Sequence, residues 1–117
     1  LVDDDQALVD IGRQLLESLG YTVEGWTSAE DALEAFRGGP ERFQLIITDM
    51  TMPQLTGDRL ARMIHQIRPT IPIILCTGFS YSLTTGALDK SHFKTIVMKP
   101  LTLEELAGAV RRAIDDP

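Results

Sequence analysis

An apolar run that stops at one carboxylate constrains the fold of this chain more than any other stretch: Phe43-Gln44-Leu45-Ile46-Ile47-Thr48-Asp49-Met50-Thr51-Met52-Pro53. Phe43, Leu45, Ile46 and Ile47 are too few for a helix, and two of them are β-branched, which suits a strand buried on both faces. Asp49 then falls at the carboxyl end of that strand. Pro53 fixes its own φ and pushes Met52 towards extended geometry, so no helix starts at once and the chain must turn over the top of the sheet. Helix resumes after Leu55-Thr56-Gly57, which leaves an open loop beside Asp49. In open α/β sheets ligands bind at such loops.

Strand and helix patterns alternate on either side of this stretch. Leu1-Val2 precede Asp3-Asp4-Asp5, and two residues are too few to hold a strand in a sheet, so the expectation is a first strand cut short and a piece taken from a longer protein. From Gln6 to Leu19, Leu8, Ile11, Leu15 and Leu19 recur at helical spacing, widened by Val9 and Leu16, and Gly20 closes the helix. Tyr21 to Trp26 reads as a second strand, with Tyr21 and Trp26 expected to pack or to sit at the sheet's edge rather than stack on a ligand. Ser28 followed by Asp31 reads as a cap for a helix whose inner face is Ala32, Leu33, Ala35 and Phe36. Gly38-Gly39-Pro40 ends it. Beyond Gly57 a helix to about Ile67 should bury Leu60, Met63, Ile64 and Ile67 before Pro69. Ile71 to Cys76 is another buried strand, with Pro72 near its start. Ser80 to Lys90, full of Ser, Thr and Gly, is the weakest helical pattern. Thr95 to Met98 is the last strand, and Thr102 with Glu105 opens a helix that should bury Leu106, Val110 and Ile114. Short connections between alternating elements imply right-handed crossovers and one α/β domain over residues 1–117, a parallel sheet with helices on both faces.

With 117 residues the chain can build a core without disulfides. The net charge of −6 disfavours a phosphate backbone or an anionic membrane as partner, so neither nucleic acid nor membrane contact is expected. The single Cys76 has no internal partner and reads as a core residue. No apolar stretch approaches the ~20 residues of a membrane span, and no signal peptide is visible, so a cytoplasmic location is expected.

The chemistry gathers at one sheet edge. The first, third and fifth strand patterns deliver Asp3, Asp4, Asp49 and Lys99 there, and the fourth delivers Thr77. In the order 2-1-3-4-5 the first and third strands are neighbours and their acids converge. Close carboxylates repel by roughly 1 to 4 kcal/mol per pair, so a positive partner is required. A hard, oxygen-seeking dication such as Mg²⁺ meets that need, and Lys99 adds a point charge beside it. Asp5 reads as an exposed acid at a helix start, and His65 and His92 as solvated surface with no metal cluster or catalytic pair.

Val2-Asp3-Asp4, Asp49 with Met52-Pro53 and Gly57, Thr77-Gly78 and Lys99-Pro100 stand in order at spacings that together are specific, and on them the chain resembles the receiver domain of two-component response regulators over essentially its whole length. The resemblance implies a flavodoxin-like, doubly wound five-stranded parallel sheet of order 2-1-3-4-5. It implies Asp49 as phosphoacceptor, Asp3 and Asp4 as metal-pocket acids, and the Thr51 backbone carbonyl as a further Mg²⁺ ligand. Thr77 would hydrogen-bond one phosphoryl oxygen and Lys99 pair with another, with Lys99-Pro100 as the family's cis peptide. The implied partner is a sensor histidine kinase or a histidine phosphotransfer protein. The implied output is a switch of the surface around the fourth helix and fifth strand, with a homodimer through those elements and the last helix. Such a domain catalyses its own phosphorylation and dephosphorylation without being a turnover enzyme in the usual sense.

Departures from the family pattern sharpen these expectations. Ile96 stands where many receivers carry Tyr or Phe, and a β-branched side chain has no ring to swing between exposed and buried positions. That leaves the Phe79–Lys90 segment as the element expected to answer phosphorylation. Thr51 and Phe79 occupy the two positions that tend to control water access to the phosphoryl group, and Phe79 would shield it. The Leu75–Ser80 run is similar to receivers attached to hybrid sensor kinases. Two other readings are an aspartyl-phosphate phosphatase, which would want an acid where Thr51 stands, and a docking module of the same fold that is never phosphorylated.

Overall fold

The computed structural model describes residues 1–78, 92–99 and 102–115. In chain order it contains α1 (Gln6–Ser18), α2 (Ala29–Gly38), a short 3-10 turn (Pro40–Arg42), β1 (Ile46–Asp49), α3 (Gly57–Ile67), β2 (Ile73–Thr77), β3 (Thr95–Met98) and α4 (Leu103–Asp115). The Ser80–Lys90 helix, Phe79 and the Lys99-Pro100 peptide fall outside the described residues.

The three strands form one parallel sheet in the order β1-β2-β3, with Asp49 opposite Cys76 and Thr77 opposite Met98. Beside β1, Val2 makes single parallel bridges to Thr48 on one side and to Trp26 on the other. Four backbone hydrogen bonds hold it: Val2 N to Ile47 O at 2.8 Å, Asp49 N to Val2 O at 2.9 Å, Trp26 N to Leu1 O at 2.9 Å and Asp3 N to Trp26 O at 3.1 Å. The two strand patterns expected at Leu1-Val2 and Tyr21–Trp26 are thus reduced to one bridged residue each. The Leu1 amino group also donates to Glu24 O at 3.0 Å, and Tyr21–Val23 lie outside the sheet.

Every residue of β1 and β2 is buried, whereas β3 is half-buried to exposed. Side chains alternate across the strands and sort into two cores. On one face Ile46 and Ile73 pack with Ala32, Leu33 and Phe36 of α2 and Leu60, Ala61 and Ile64 of α3. On the other, Ile47, Ile74 and Cys76 pack with Leu16 of α1 and Leu106, Ala109, Val110 and Ala113 of α4. Each large apolar side chain so buried contributes about 1.5–3 kcal/mol. Among the described residues no helix is long and apolar enough to cross a membrane.

Local signals set the helix ends. Asp5 caps α1, its carboxylate accepting from Ala7 N at 2.9 Å. At the other end Tyr21 N donates to Leu16 O and Gly20 N to Glu17 O, a Schellman closure that places Gly20 at φ 97°. Ser28 accepts from Asp31 N at 3.2 Å and Thr102 from Glu105 N at 3.1 Å, capping α2 and α4.

Three helix faces depart from the expected ones. In α1, Val9 and Leu16 are buried while Leu8, Ile11 and Leu19 are exposed. The apolar arc is wider than the area the sheet can cover. Gly12 lies on the sheet-facing side, where an added Cβ would come within 2.8 Å of Leu1 Cδ2, so the helix sits close on that side and the Leu8–Leu19 row turns outward. In α3, Met63 and Ile67 are exposed, and in α4 Ile114 is exposed while Ala109 and Ala113 take the core positions. Alanine lets α4 approach the sheet closely, which pushes Ile114 to the rim.

Candidate functional site

Asp49 is held by its neighbours on every side. Its N–H donates to Val2 O, Met50 N donates to Cys76 O at 2.9 Å, and Gly57 N donates to Met50 O at 2.9 Å, so the turn after β1 is tied to both flanking chains and to the start of α3. Gly57 is required there, because a Cβ would run into the Asp49 carbonyl oxygen. Lys99 N donates to Thr77 O at 2.8 Å, anchoring the residue after β3 to the end of β2. The strand ends therefore present their side chains from a fixed frame.

Lys99 Nζ donates to Asp3 Oδ2 at 2.9 Å and lies 3.0 Å from Asp49 Oδ1. Asp3, Asp4 and Asp49 each place a carboxylate oxygen so that all lie within 4.8 Å of one another, with Asp3 and Asp49 buried and Asp4 exposed. Asp3 also accepts Asp5 N at 3.0 Å through Oδ1, which ties the pocket to the start of α1. Burial raises the Asp49 carboxyl above its ordinary range. The Lys99 ammonium opposes that shift, and the Asp3 charge adds to it. For Lys99, burial disfavours the charge, but its hydrogen bonds to Asp3 and Asp49 outweigh burial and hold the ammonium above its usual value. Among the described residues, one cation against three acids leaves the cluster short of positive charge. Its all-oxygen, carboxylate donor set with an exposed member fits a hard dication that keeps part of its water shell.

The structure thus brings Asp3, Asp4, Asp49 and Lys99 together. Thr77 is buried at the end of β2 beside them, and Thr51 is exposed in the loop after β1. Cys76 is a buried free thiol, pushed by burial up to about 12, and so stays protonated near neutral pH. Trp26 is half-buried against the α2–α3 core and Tyr21 against the α1–α4 core. His65 and His92 overturn their assignment to solvated surface: both are half-buried, with their Nδ1 atoms 2.8 Å apart. They are 27 residues apart, a separation that carries no local pattern. Only the packing of α3 against the segment that leads into β3 joins them.

A family model described as the response regulator receiver domain matches residues 1–111. The response regulator receiver protein CpdR of Brucella abortus is 28% identical over 114 residues, covering 97% of this chain and 93% of CpdR. The C4-dicarboxylate transport transcriptional regulatory protein DctD of Rhizobium meliloti is 32% identical over 119 residues, 97% of this chain but 24% of DctD. The sensor kinase CckA of Brucella abortus is 28% identical over 115 residues, and the chain spans 12% of its length. Among solved structures, a response regulator receiver domain protein from Clostridium thermocellum superposes with a TM-score of 0.89 at 30% identity, covering 97% of this chain and 90% of that one. The BeF3-activated DrrB receiver domain superposes with a TM-score of 0.81 at 28% identity, covering 97% and 93%. By the family match, these relatives and the shared fold, the chain belongs to the receiver domains of two-component response regulators.

Proposed function

We propose that this domain accepts a phosphoryl group on Asp49 from the phosphohistidine of a sensor histidine kinase or a histidine phosphotransfer protein, in a Mg²⁺-dependent reaction. The observation that carries this reading is the Asp49 carboxylate, buried at the end of β1 with Lys99 3.0 Å away and two further acids within 4.8 Å. An ionised Asp49 oxygen attacks phosphorus, the O–P bond forms as the P–N bond breaks, and the imidazole nitrogen leaves with the bonding pair. Lys99, held between Asp3 and Asp49, offers its ammonium to a phosphoryl oxygen as charge develops. Thr77 is assigned a hydroxyl contact to a second oxygen. Asp3, Asp4, Asp49 and the Thr51 carbonyl would hold Mg²⁺, which when bound supplies the positive charge that lets a phosphoryl anion approach three acids.

The finer architecture belongs to the same reading. The single bridges of Val2 to Trp26 and to Thr48 support the five-stranded order 2-1-3-4-5. The signal would leave through β3 and the segment before it, where half-buried Ile96 takes the place of an aromatic switch. A homodimer through β3, that segment and α4, an origin in a hybrid kinase and a cytoplasmic setting complete the proposal. That the neighbouring DrrB receiver is activated by BeF3 accords with a phosphoryl-type input. The phosphatase reading has no acid two residues after Asp49, where Thr51 stands.

Incubation with acetyl phosphate and Mg²⁺, followed by intact-mass measurement and peptide mapping, tests the proposal. A single label on the Asp49 peptide is expected. Label that persists in Asp49→Asn, or that a chelator leaves unchanged, overturns it.

A further inference from the structure

At the opposite end of the sheet, His65 on α3 and His92 ahead of β3 touch each other in the lining of an open groove of about 530 Å³ that Gln44, Arg68, Thr70 and Lys94 also line. His65 Nε2 lies 2.9 Å from Ile71 O, and a carbonyl only accepts, so Nε2 carries the proton. In the neutral ring the lone pair is then on Nδ1, directed at His92 Nδ1 2.8 Å away, and His92 donates that bond. A histidine whose far nitrogen is tied to a backbone carbonyl, with its near nitrogen presented to a second imidazole, has the orienting bond that metal-ligating histidines use.

We propose that His65 and His92 form a two-imidazole site for a divalent transition-metal ion of the Zn²⁺ or Cu²⁺ class, chemically distinct from the acidic pocket. The metal takes the place of the shared proton. The Nδ1 proton of the neutral His92 ring passes through solvent to Nε2, since losing it outright would leave an imidazolate, and both Nδ1 lone pairs bind the ion. Metal–nitrogen bonds of about 2.0–2.1 Å put two ligand nitrogens about 2.8–3.4 Å apart for right-angled to tetrahedral geometry, so the nitrogens separate by at most a few tenths of an ångström while each ring turns by roughly 35–45° to aim its lone pair off the line between them. The ring centroids are 5.0 Å apart and the planes 42° apart, so the two rings meet edge to edge. The groove admits water to the remaining positions. Arg68 does not point its charge at the pair: its guanidinium donates to Pro40 O at 3.0 Å and Phe43 O at 2.6 Å. Imidazole nitrogens favour Zn²⁺ or Cu²⁺ over Mg²⁺, so the two ends of the sheet select different ions. A bound ion would tie α3 to the segment leading into β3.

The test is titration of the protein with Zn²⁺ by calorimetry in excess Mg²⁺, with Cu²⁺ electron paramagnetic resonance on the same samples. One ion per chain and hyperfine structure from two nitrogens are expected. His65→Gln and His92→Gln should each weaken binding ~10-fold or more. Asp4→Asn should leave it unchanged. Labelling of Asp49 by acetyl phosphate in His92→Gln shows that this variant is folded, so its loss of metal is a loss of ligand. Zn²⁺ affinity that survives both histidine variants, or that is lost in Asp4→Asn, overturns the proposal. A resonance spectrum with no histidine nitrogen does the same.

Discussion

The two ends of the parallel sheet hold their polar side chains by different physics. At the carboxyl end Asp3, Asp49 and Lys99 are formal charges in a partly dehydrated pocket, and each stays there because an opposite charge is within 3.0 Å. At the amino end His65 and His92 share one hydrogen bond, anchored by a backbone carbonyl, in a groove open to water. Among the described residues the charged end is electrostatically unbalanced, the condition that the proposed receipt and release of an anion would use. The imidazole end is satisfied as it stands, so its removal should loosen packing without touching phosphoryl chemistry.

That contrast fails if the ends are not separable, and Asp49→Asn should be the most severe test. Acetyl phosphate labelling should disappear in that variant and persist in His65→Gln, as intact mass would show. Next comes Lys99→Met, which should slow labelling by roughly 10²-fold through loss of a charge aimed at the phosphoryl oxygens. The same variant should move the metal-free titration of Asp49. With its pKa raised by burial, the Asp49 carboxyl of the metal-free protein ionises above its ordinary value, which a carboxyl NMR titration in chelator reads as a raised midpoint. Lys99 opposes the shift, so its removal carries the midpoint to higher pH, and a midpoint that stays put or moves down contradicts the pairing. Folding sees the other side of this linkage: the neutral Asp49 carboxyl stabilises the fold fully below the unfolded-state pKa, and that contribution is lost as pH rises through the folded value.

Smaller effects should appear in stability. Gly57→Ala forces a methyl against the Asp49 carbonyl and should cost about 1–3 kcal/mol in denaturant melts, with no change at the histidine groove. Mg²⁺ at ten times its dissociation constant should add about 1.4 kcal/mol, an increment abolished by Asp4→Ala and untouched by His92→Gln. His92→Gln in metal-free buffer should cost at least about 0.5–1.5 kcal/mol, the worth of the hydrogen bond to His65 by itself. An equal Mg²⁺ shift in Asp4→Ala would place the ion outside the acidic pocket.

How much of this could be read beforehand differs from residue to residue. Thr95–Met98, Gly57–Ile67 and the caps at Ser28 and Thr102 follow from local chemistry: β-formers bounded by breakers, a glycine start, a hydroxyl three residues before the N–H it accepts. The convergence of Asp3, Asp4, Asp49 and Lys99 was legible for a related reason. In a parallel sheet all strands point the same way, so residues that end strands share one edge however far apart they lie in sequence. The α1 face was misjudged because Leu8, Ile11, Leu15 and Leu19 match helical spacing as well as Val9 and Leu16 do, and spacing states that an apolar face exists without stating which part meets the sheet. Gly12 and Leu1 decided that, through close approach.

Local pattern therefore set the elements, their ends and the edge where the acids gather, because hydrogen-bond geometry and alternation act over a few residues. Three-dimensional packing alone decided which arc of α1 is covered, that Lys99 bridges Asp3 and Asp49 while Asp4 stays exposed, and that His65 meets His92. Those outcomes depend on distances between elements of a few ångströms, set by the summed volumes of side chains in the two cores, and no run of neighbouring residues encodes such a sum.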